Sequence, residues 1–479
     1  MAAPDLNSER ADIQGLLASG YGHLPHAAYL LFTIENRGTA GEWVRQLADV
    51  ITTARAPESP HAGSGNVALS ASGLAKLGLS ETALGGFSLE FTGGMVDDAH
   101  RRRILGDIGE NAPELWSWGG PDSPPTDLLL LLFAETPSKL STLTEQHRKR
   151  VQGATLVLEL RASSDTFDHF GFRDGISQPF VAGLRTGPSA QTVSTGEFLL
   201  GYPNEYDQFT DRPLLAPHED PSGVLPDDAA GSGKHDLGRN GSYLVFRQLR
   251  QDVPGFWHWL DAAVAVSAGS GNPGRNGIEA RRIALASKLV GRWPGGAPLT
   301  LSPDGDDPEL TSAVDFGYFA HDADGTRCPI GAHVRRSHPR DSLDPKPGTA
   351  SSIKLDNHHR LLRRGRKYGT ALSPIEALAA GPGDADERGL HFICLCANIE
   401  RQFEFVQRTW VNSPKFDGLY DDRDPLVGGG SRTFTVQAEP VRKRYLDMPP
   451  FVQTRGGGYF FLPGMRALRY LAGVAAGSS

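Results

Sequence analysis

The sequence is poor in cysteine and has no long apolar run, and both shortages narrow the classes of protein it can encode. Its three cysteines, Cys328, Cys394 and Cys396, cannot form a disulfide framework, and the last two are spaced C-x-C. Because this usage favours a reducing compartment, we predict a cytoplasmic protein. The longest apolar run, at 128–134, is far shorter than the roughly 20 residues of a membrane-spanning helix, so we expect no membrane partner.

The sequence also has fewer positively charged than negatively charged residues. The chain has 48 Lys and Arg residues against 56 Asp and Glu residues, which gives a formal net charge of −8. Because nucleic-acid-binding proteins usually carry a basic excess, we expect no nucleic acid partner. The sequence also lacks an H-E-x-x-H zinc motif and a G-x-S-x-G nucleophile motif, so it does not support a metalloprotease or an α/β-hydrolase.

Alternating helix and strand patterns fill most of the chain, whose 479 residues are 39% hydrophobic. Helical spacing of apolar residues begins at Trp43, and a polar, helix-like stretch covers 139–151. Runs rich in aromatic and branched residues predict strands at 27–35, 127–135, 154–160, 242–246 and 390–399, and a further strand near 459–462. The polar segment 202–241 is expected to be a linker or a functional loop, and the end of the chain from Ala472 a frayed tail.

The strand and helix near residue 30 recur 214 positions later. The matched pairs are Tyr29 with Tyr243, Leu30 with Leu244, Phe32 with Phe246, Trp43 with Trp257, Ala48 with Ala262, and Val50 with Val264. Each copy is followed, after a long interval, by an apolar strand and a helix. The repeat therefore predicts an α+β fold with two domains, each an antiparallel sheet packed with helices.

Three segments contain candidate catalytic or ligand-binding residues. In HFGFRDGISQPF, the pair Arg173 and Asp174 lies in an aromatic frame, with Gly171 and Gly175 allowing a tight turn. An acid in such a loop is either a structural ion pair with its neighbour or an acid–base group, and the sequence alone leaves both open. The second segment, RCPIGAHVRRSHPRD, places His333 and His338 among arginines.

A histidine beside arginines suits a metal macrocycle with anionic groups, because haem iron takes an imidazole ligand and haem propionates need cations. The third segment, HRLLRRGRKYG, carries Arg360, Arg363, Arg364, Arg366 and Lys367. It is either an amphipathic edge strand with its arginines in solvent or a segment that sends one arginine inward to stabilise negative charge.

Together these segments resemble the dye-decolourising peroxidases. The G-F-R-D-G at 171–175 is similar to the distal signature of that family, GAHVRRSHPR to its proximal haem-histidine segment, and HRLLRRG to its distal-arginine segment. The resemblance extends from Asp12 to about Gly464, and the chain length is similar to the longer members. It implies two ferredoxin-like domains, at 1–215 with the distal loop and at 216–479 with the haem-binding histidine, as in the dimeric α+β barrel superfamily.

The resemblance also implies residue roles. His333 would bind the iron of haem b, Asp174 would be the distal acid–base residue, and Arg363 would be the distal arginine. Arg340 would pair with a haem propionate, and Leu390 and Phe392 would line the distal pocket. His338 stands where members commonly have Asn, which makes it the alternative ligand. The family also tends to place a carboxylate behind the proximal histidine, and Asp421, Asp422 and Asp424 are candidates that the sequence does not separate.

The expected activity is that of a peroxidase, which reduces hydrogen peroxide and oxidises dyes and phenolic or other one-electron donors, with best turnover at acidic pH. A surface Tyr or Trp would relay electrons, with Trp410 and Tyr368 as candidates, and a homo-oligomer is compatible with the resemblance. Two other functions stay open: a haem carrier without turnover, and a duplicated ferredoxin-like module that grips an anionic ligand without haem.

Overall fold

The computed structural model describes residues 5–55, 63–266, 274–381, 386–430 and 432–477. Within these ranges the main sheet has nine strands. They are β1 (His26–Ile34), β2 (Gly63–Leu69), β3 (Leu128–Ala134), β4 (Ala154–Ser163), β5 (Ser242–Gln251), β6 (Leu362–Arg363), β7 (Arg366–Tyr368), β8 (Gly389–Cys396) and β9 (Val452–Leu462). The strands predicted from apolar runs are all present.

The helices that cover the sheet follow the predicted patterns. Five long helices are α1 (Arg37–Ala48), α2 (Pro137–Arg150), α3 (Val253–Val266), α4 (Gly274–Val290) and α6 (Met465–Ala476). A short helix, α5 (His333–Ser337), carries a candidate site residue. The other α-helices are Leu6–Glu9, Gly15–Ala18, Ala71–Lys76, Glu81–Leu84, Leu89–Gly93, Ala99–Leu105, Tyr318–Asp322, Ala350–Asn357 and Pro374–Ala379, and π-helical turns lie at Glu400–Glu404 and Val406–Val411. Among the described helices, none combines the length and apolar character that crossing a bilayer requires.

The strand order confirms two ferredoxin-like halves. In the first half the order across the sheet is β4-β1-β3-β2, and in the second it is β7-β8-β5-β9. When the four strands of each half are numbered along the chain, leaving out the two-residue β6, the first half has the order 4-1-3-2. The second half has the same order read in reverse, 2-3-1-4. All these pairings are antiparallel. The strand-and-helix pairs β1–α1 and β5–α3 occupy equivalent positions, as the sequence repeat predicts.

The two halves share one closed sheet. Strand β4 meets β7 through the pair Ser163 and Lys367, and β2 meets β9 through Leu69 and Phe461. These two seams join the half-sheets edge to edge into a barrel, as the superfamily resemblance implies. Closure of this kind leaves the long strands without free edges, which otherwise invite aggregation.

Side chains of each strand alternate between the inside of the barrel and its helix-covered outside. On β1, Tyr29 and Leu31 join the apolar cluster inside the barrel, whereas Leu30 and Phe32 pack outside with Trp43 of α1. The Phe32 and Trp43 rings meet edge to face at 4.9 Å. Because both faces of β1 are buried, its sequence is a nearly continuous apolar run.

Two expectations about less regular parts need comment. The frayed tail predicted from Ala472 is wrong, because α6 continues to Ala476 and packs Ala472 and Val474 into the core. Within 202–241, the short strands Leu214–Leu215 and His235–Asp236 pair with each other, and buried Arg212 donates to Asp236 at 2.7 Å. This pairing crosses residue 215, and the division of the chain at that position stays a prediction.

Candidate active site

A cavity of about 340 Å³ lies between the C-terminal half of the barrel and the loop that follows β4. The residues expected at the site all line it, namely Asp174, His333, Arg340, Arg363, Leu390 and Phe392. Apolar side chains of the second half, including Val290, Val334 and Leu426, complete its walls. Folding therefore brings residues from three separate sequence motifs to one enclosed space, where their roles stay predictions.

The segment from Thr166 to Asp174 forms a tight hairpin at one side of the cavity. The Asp174 N–H donates to the Thr166 carbonyl at 3.0 Å, and the Asp168 N–H donates to the Phe172 carbonyl at 2.8 Å. Gly171 turns the chain with a φ of +93°, a region that L side chains rarely adopt. The hairpin thus holds the exposed Asp174 carboxylate at the cavity surface.

The sequence left open an ion pair between Asp174 and Arg173. In the hairpin Arg173 lies opposite Phe167, and neighbouring residues of an extended strand point to opposite faces. Within the residues that the structure describes, no ion pair joins the two side chains. A structural ion pair between them is therefore not what the described residues show, and the acid–base role of Asp174 stays a prediction.

Arg363 is tied to the segment that follows the hairpin. Its N–H donates to Oε1 of Gln178 at 3.1 Å, and its Nη2 donates to the Ser177 carbonyl at 2.9 Å. Strand β6, which carries Arg363, pairs with β8 at Cys394. Because one end of Arg363 is held by the sheet and the other by the loop, its guanidinium is fixed on the same side of the cavity as Asp174.

The other arginines of that segment correct one interpretation of the sequence. Arg360, Arg364 and Arg366 are only 7%, 8% and 4% exposed, so an edge strand with its arginines in solvent is wrong for these three. Arg364 and Arg366 donate to backbone carbonyls of the N-terminal segment, at Leu16 over 2.8 Å and at Leu24 over 2.5 Å. They bind the two halves together.

His333 lines the cavity from the start of α5. Its Nδ1 is 2.8 Å from Oδ2 of Asp424, whose side chain is fully buried. The other oxygen, Oδ1, accepts from the N–H groups of Leu426 at 2.9 Å and Val427 at 3.0 Å. Since Asp424 engages Nδ1, Nε2 is the nitrogen that His333 has left for the cavity.

Electrostatics keep this pair as a donor imidazole and a carboxylate. Burial alone would lower the pKa of His333, but the charge and hydrogen bond of Asp424 outweigh it and raise that pKa. Burial alone would raise the pKa of Asp424, but the His333 interaction and the backbone donors lower it. A buried carboxylate that orients an imidazole in this way is the usual support of a metal-binding histidine.

The structure separates the three aspartates that the sequence did not. Asp424 contacts His333, as described. Oδ2 of Asp422 instead accepts from the Thr435 N–H at 2.6 Å, and the Asp421 side chain is 63% exposed and pairs with Arg444 at 3.5 Å. Of the three, Asp424 is therefore the residue that supports His333.

His338, the alternative ligand, also lines the cavity, but its ring is engaged elsewhere. Its Nε2 is 2.9 Å from Oδ2 of Asp356, a carboxylate that is 2% exposed. Burial, followed by the charge of Arg360, lowers the pKa of His338 to about 3, so the ring is a neutral donor to Asp356. This pairing leaves His333 as the predicted ligand.

One end of the cavity is rich in positive charge. Nη1 of Arg340 donates to the carbonyls of Val314 at 2.7 Å and Phe316 at 3.2 Å, and its guanidinium lies 4.0 Å from the centre of the Phe316 ring. Nε of Arg340 is buried without a hydrogen-bond partner among the described residues. Arg292 and Arg360 line the same end, which therefore suits anionic groups.

Strand β8 gives the cavity an apolar wall. Leu390 and Phe392 face it, whereas His391 between them points into the barrel and is 1% exposed. There the His391 ring stacks on Tyr368 at 4.4 Å. The alternation of the strand thus separates the cavity from the barrel interior.

Of the two candidates for a surface electron relay, Trp410 is wrong as a surface residue, whereas Tyr368 is partly exposed and stays a prediction. Trp410 is 4% exposed. The Tyr368 hydroxyl is buried, and burial raises its pKa to about 12. An aromatic residue in a sequence carries no sign of its depth, which is why the expectation for Trp410 failed.

Sequence reasoning missed several residues of the cavity. Asp168 and Arg292 line it, as does Arg360, which was noted only as one of a run of cations. Asp356 supports His338 from the C-terminal part of the helix Ala350–Asn357. Asp168 could have been found, because it immediately precedes the segment that carries Asp174. The other residues carry no local signal in the sequence.

The chain was also compared with known proteins. No family model matches it. It is 30% identical to a dye-decolorizing peroxidase of Exidia glandulosa over 98% of this chain and 87% of the relative, and 32% identical to that of Mycena epipterygia over 85% and 76%. A solved dye-decolorizing peroxidase in complex with 2,6-dimethoxyphenol superposes with a TM-score of 0.77 and 26% identity, over 98% of this chain and 99% of that one. The chain belongs to the dye-decolourising peroxidase family and is a peroxidase enzyme.

Proposed function

We propose that this peroxidase uses haem b to reduce hydrogen peroxide and to oxidise dyes and phenolic or other one-electron donors. The observation that carries the proposal is the placement of side chains around one cavity. His333, supported by Asp424, lines this cavity together with Asp174 and Arg363. An imidazole, an acid–base group and a cation around one cavity are the set that peroxide cleavage needs.

The residues present fit haem. Nε2 of His333 is left for the cavity and would be a suitable ligand for the iron. Nε of Arg340, buried and without a partner among the described residues, would pair with a propionate, and Leu390 and Phe392 would contact the macrocycle. Bound haem supplies the iron that binds peroxide and stores the oxidising equivalents.

Asp174 is proposed to move the proton. As a carboxylate at the cavity surface it can accept the proton of the inner peroxide oxygen and return it to the outer oxygen, so that water leaves. Its backbone is fixed by the Thr166 carbonyl at 3.0 Å, which keeps the carboxylate in place during both transfers.

Arg363 is proposed to stabilise the negative charge that develops on the departing oxygen. A fixed cation in a cavity screened from water acts more strongly than in bulk solvent, and removing such a donor typically costs about 100-fold to 1,000-fold in rate. The contacts to Gln178 and Ser177 hold the Arg363 guanidinium in position before the reaction begins.

Reductants then supply electrons one at a time. The related enzyme solved with 2,6-dimethoxyphenol supports phenols as one class, and the names of the curated relatives support dyes. We also propose a cytoplasmic location, because Cys328, Cys394 and Cys396 are free and buried. Fractionation of the source cells tests this location. We further propose that the chain divides into its two domains near residue 215.

The proposal is tested with purified wild type, His333→Ala and Asp174→Asn, and with His218→Ala as a control at an exposed histidine. We expect wild type to show a haem absorption band and peroxide-dependent dye oxidation, and His333→Ala to lose or shift the band. Asp174→Asn should keep the band and lose about 100-fold to 10,000-fold in turnover.

The two other functions predict different results for the same samples. A haem carrier would bind haem and bleach no dye with peroxide, and a haem-free binding module would stay colourless when haem is supplied. Either result in wild type would overturn the proposal. If the haem absorption band is unchanged in His333→Ala but lost in His338→Ala, the iron ligand is His338 and not His333.

A further inference from the structure

We propose that Asp168 is a second titrating carboxyl group of the distal hairpin, and that its ionisation slows the peroxide step as pH rises through neutrality. The inference rests on the proposed function, since it concerns the step assigned to Asp174 and Arg363. Asp168 acts through these residues and through the charge of the cavity, so it is a positioning residue.

The hairpin places Asp168 beside Asp174. Their opposite partners are Phe172 for Asp168 and Thr166 for Asp174. Residues that face each other across an antiparallel pair share a face, and so do residues two positions apart. Asp168 and Asp174 are therefore diagonal neighbours on one face, at the about 7 Å typical of such pairs, and both line the cavity.

The surroundings of Asp168 favour its neutral form. Asp168 is half-buried, and it lines the cavity. Burial, with the charge of Asp174 acting in the same direction, raises the pKa of Asp168 to about 7, although the N–H of Phe172 donates to Oδ1 at 2.8 Å. Two neighbouring carboxyls that cannot both ionise easily have their proton affinities pushed apart.

Other charged and titratable groups face the hairpin, and burial lowers the pKa of the adjacent His169. Lys367 of β7 donates to Asp165 at 2.5 Å, and that bond, with a backbone donor, lowers the pKa of Asp165. Arg173 of the hairpin and Arg363 of β6 contribute guanidinium groups nearby. His333 of α5 also lines the cavity, and iron binding would fix its state.

The direction of the effect follows from charge. At acidic pH Asp168 is neutral, so it adds no negative charge to the cavity that Asp174 and Arg363 line. Once Asp168 ionises, a second negative charge lies beside the oxygen that becomes negative as the O–O bond breaks. We expect this repulsion to slow the step about tenfold.

The test is the pH profile of the peroxide step, measured by stopped-flow mixing of haem-loaded enzyme with hydrogen peroxide. Asp168→Asn keeps an oxygen for the Phe172 N–H and never ionises. Wild type should lose about tenfold in rate between about pH 6 and about pH 8. Asp168→Asn should match wild type at acidic pH and stay flat above neutrality.

The matched control is Asp165→Asn, which removes another aspartate of the same loop and should keep the decline. A second readout is the infrared carbonyl band of a protonated carboxyl group, which should fade in wild type as pH rises through about 7 and be absent from Asp168→Asn. If Asp168→Asn does not fold, Asp168→Ser, whose hydroxyl can also accept from Phe172, takes its place.

Two results would overturn the inference: a decline in Asp168→Asn as steep as in wild type, or a wild-type rate that is flat across neutrality. Neither would touch the proposed function, which depends on peroxide reacting at all. Conversely, a wild type that does not react with peroxide at any pH would defeat the proposed function itself.

Discussion

At the hydrogen bond between His333 and Asp424, one substitution can remove a negative charge with little change in side-chain shape. Asp424→Asn keeps the side-chain size and leaves an oxygen for the N–H groups of Leu426 and Val427, but it removes the negative charge behind the imidazole. A carboxylate partner makes the imidazole a stronger electron donor, which favours ferric over ferrous iron. We therefore expect Asp424→Asn to raise the ferric–ferrous midpoint potential of the haem-loaded enzyme, measured by spectroelectrochemistry.

The control is Asp421→Asn, because Asp421 lies in the same segment but is 63% exposed and contacts Arg444. It should leave the midpoint potential unchanged. Equal potentials for wild type and Asp424→Asn would show that Asp424 does not tune the metal ligand.

At the scale of residues, sequence reasoning found the groups that lie in recognisable motifs and missed those defined by three-dimensional position. Asp174, His333 and Arg363 were predicted from their local patterns. Asp424 was not separable from Asp421 and Asp422, because only the folded path of the chain decides which aspartate reaches a histidine 91 residues away. The burial that perturbs Asp168 comes from the cavity, which no short pattern encodes.

The distal hairpin is the element whose conformation most directly supports the site. Gly171 has a φ of +93°, and a Cβ there would meet nothing closer than Trp257 at 4.0 Å. Because space is available, Gly171→Ala isolates the backbone cost, about 1–2 kcal/mol for an L residue forced to positive φ. We expect the free energy of unfolding in denaturant to fall by that amount, and peroxide turnover to fall as the Asp174 carboxylate is displaced.

Gly22→Ala is the control, since a Cβ at Gly22 meets nothing within 4 Å and its φ is not positive. It should change neither stability nor turnover. A Gly171→Ala enzyme with wild-type turnover would mean that the hairpin tolerates another turn without moving Asp174.

At the scale of elements, apolar patterning predicted the strands well, because β1 and β3 are buried on both faces and so read as continuous apolar runs. It failed where polar groups are buried in pairs. Arg364 and Arg366 looked like solvent-facing cations, yet they donate to carbonyls of the N-terminal segment. The segment from Ala472 looked like a tail because of its Gly and Ser residues and its place at the end of the sequence, but its small residues are what let α6 approach α1 closely.

At the scale of the whole molecule, the two halves are joined in ways that a division at residue 215 does not suggest. The sheet closes through the seams β4–β7 and β2–β9. Helix α6, from the end of the chain, packs on α1, near its start. The halves resemble each other in topology, but each completes the other's sheet and core, and we therefore expect them to unfold together.

The contact between α1 and α6 offers a test of this coupling. A Cβ at Gly41 would lie 2.4 Å from Cβ of Ala475 and 3.2 Å from the Ala472 carbonyl, so Gly41→Val forces the helices apart at a cost of about 1–3 kcal/mol. Gly38→Ala on the exposed face of α1 is the control, and its better helix propensity should stabilise slightly. With native-state hydrogen exchange, Gly41→Val should reduce protection of β1 and of β5 and β8 by the same free energy. Wild-type protection of β5 and β8 in Gly41→Val would show instead that the C-terminal half is stable without its partner.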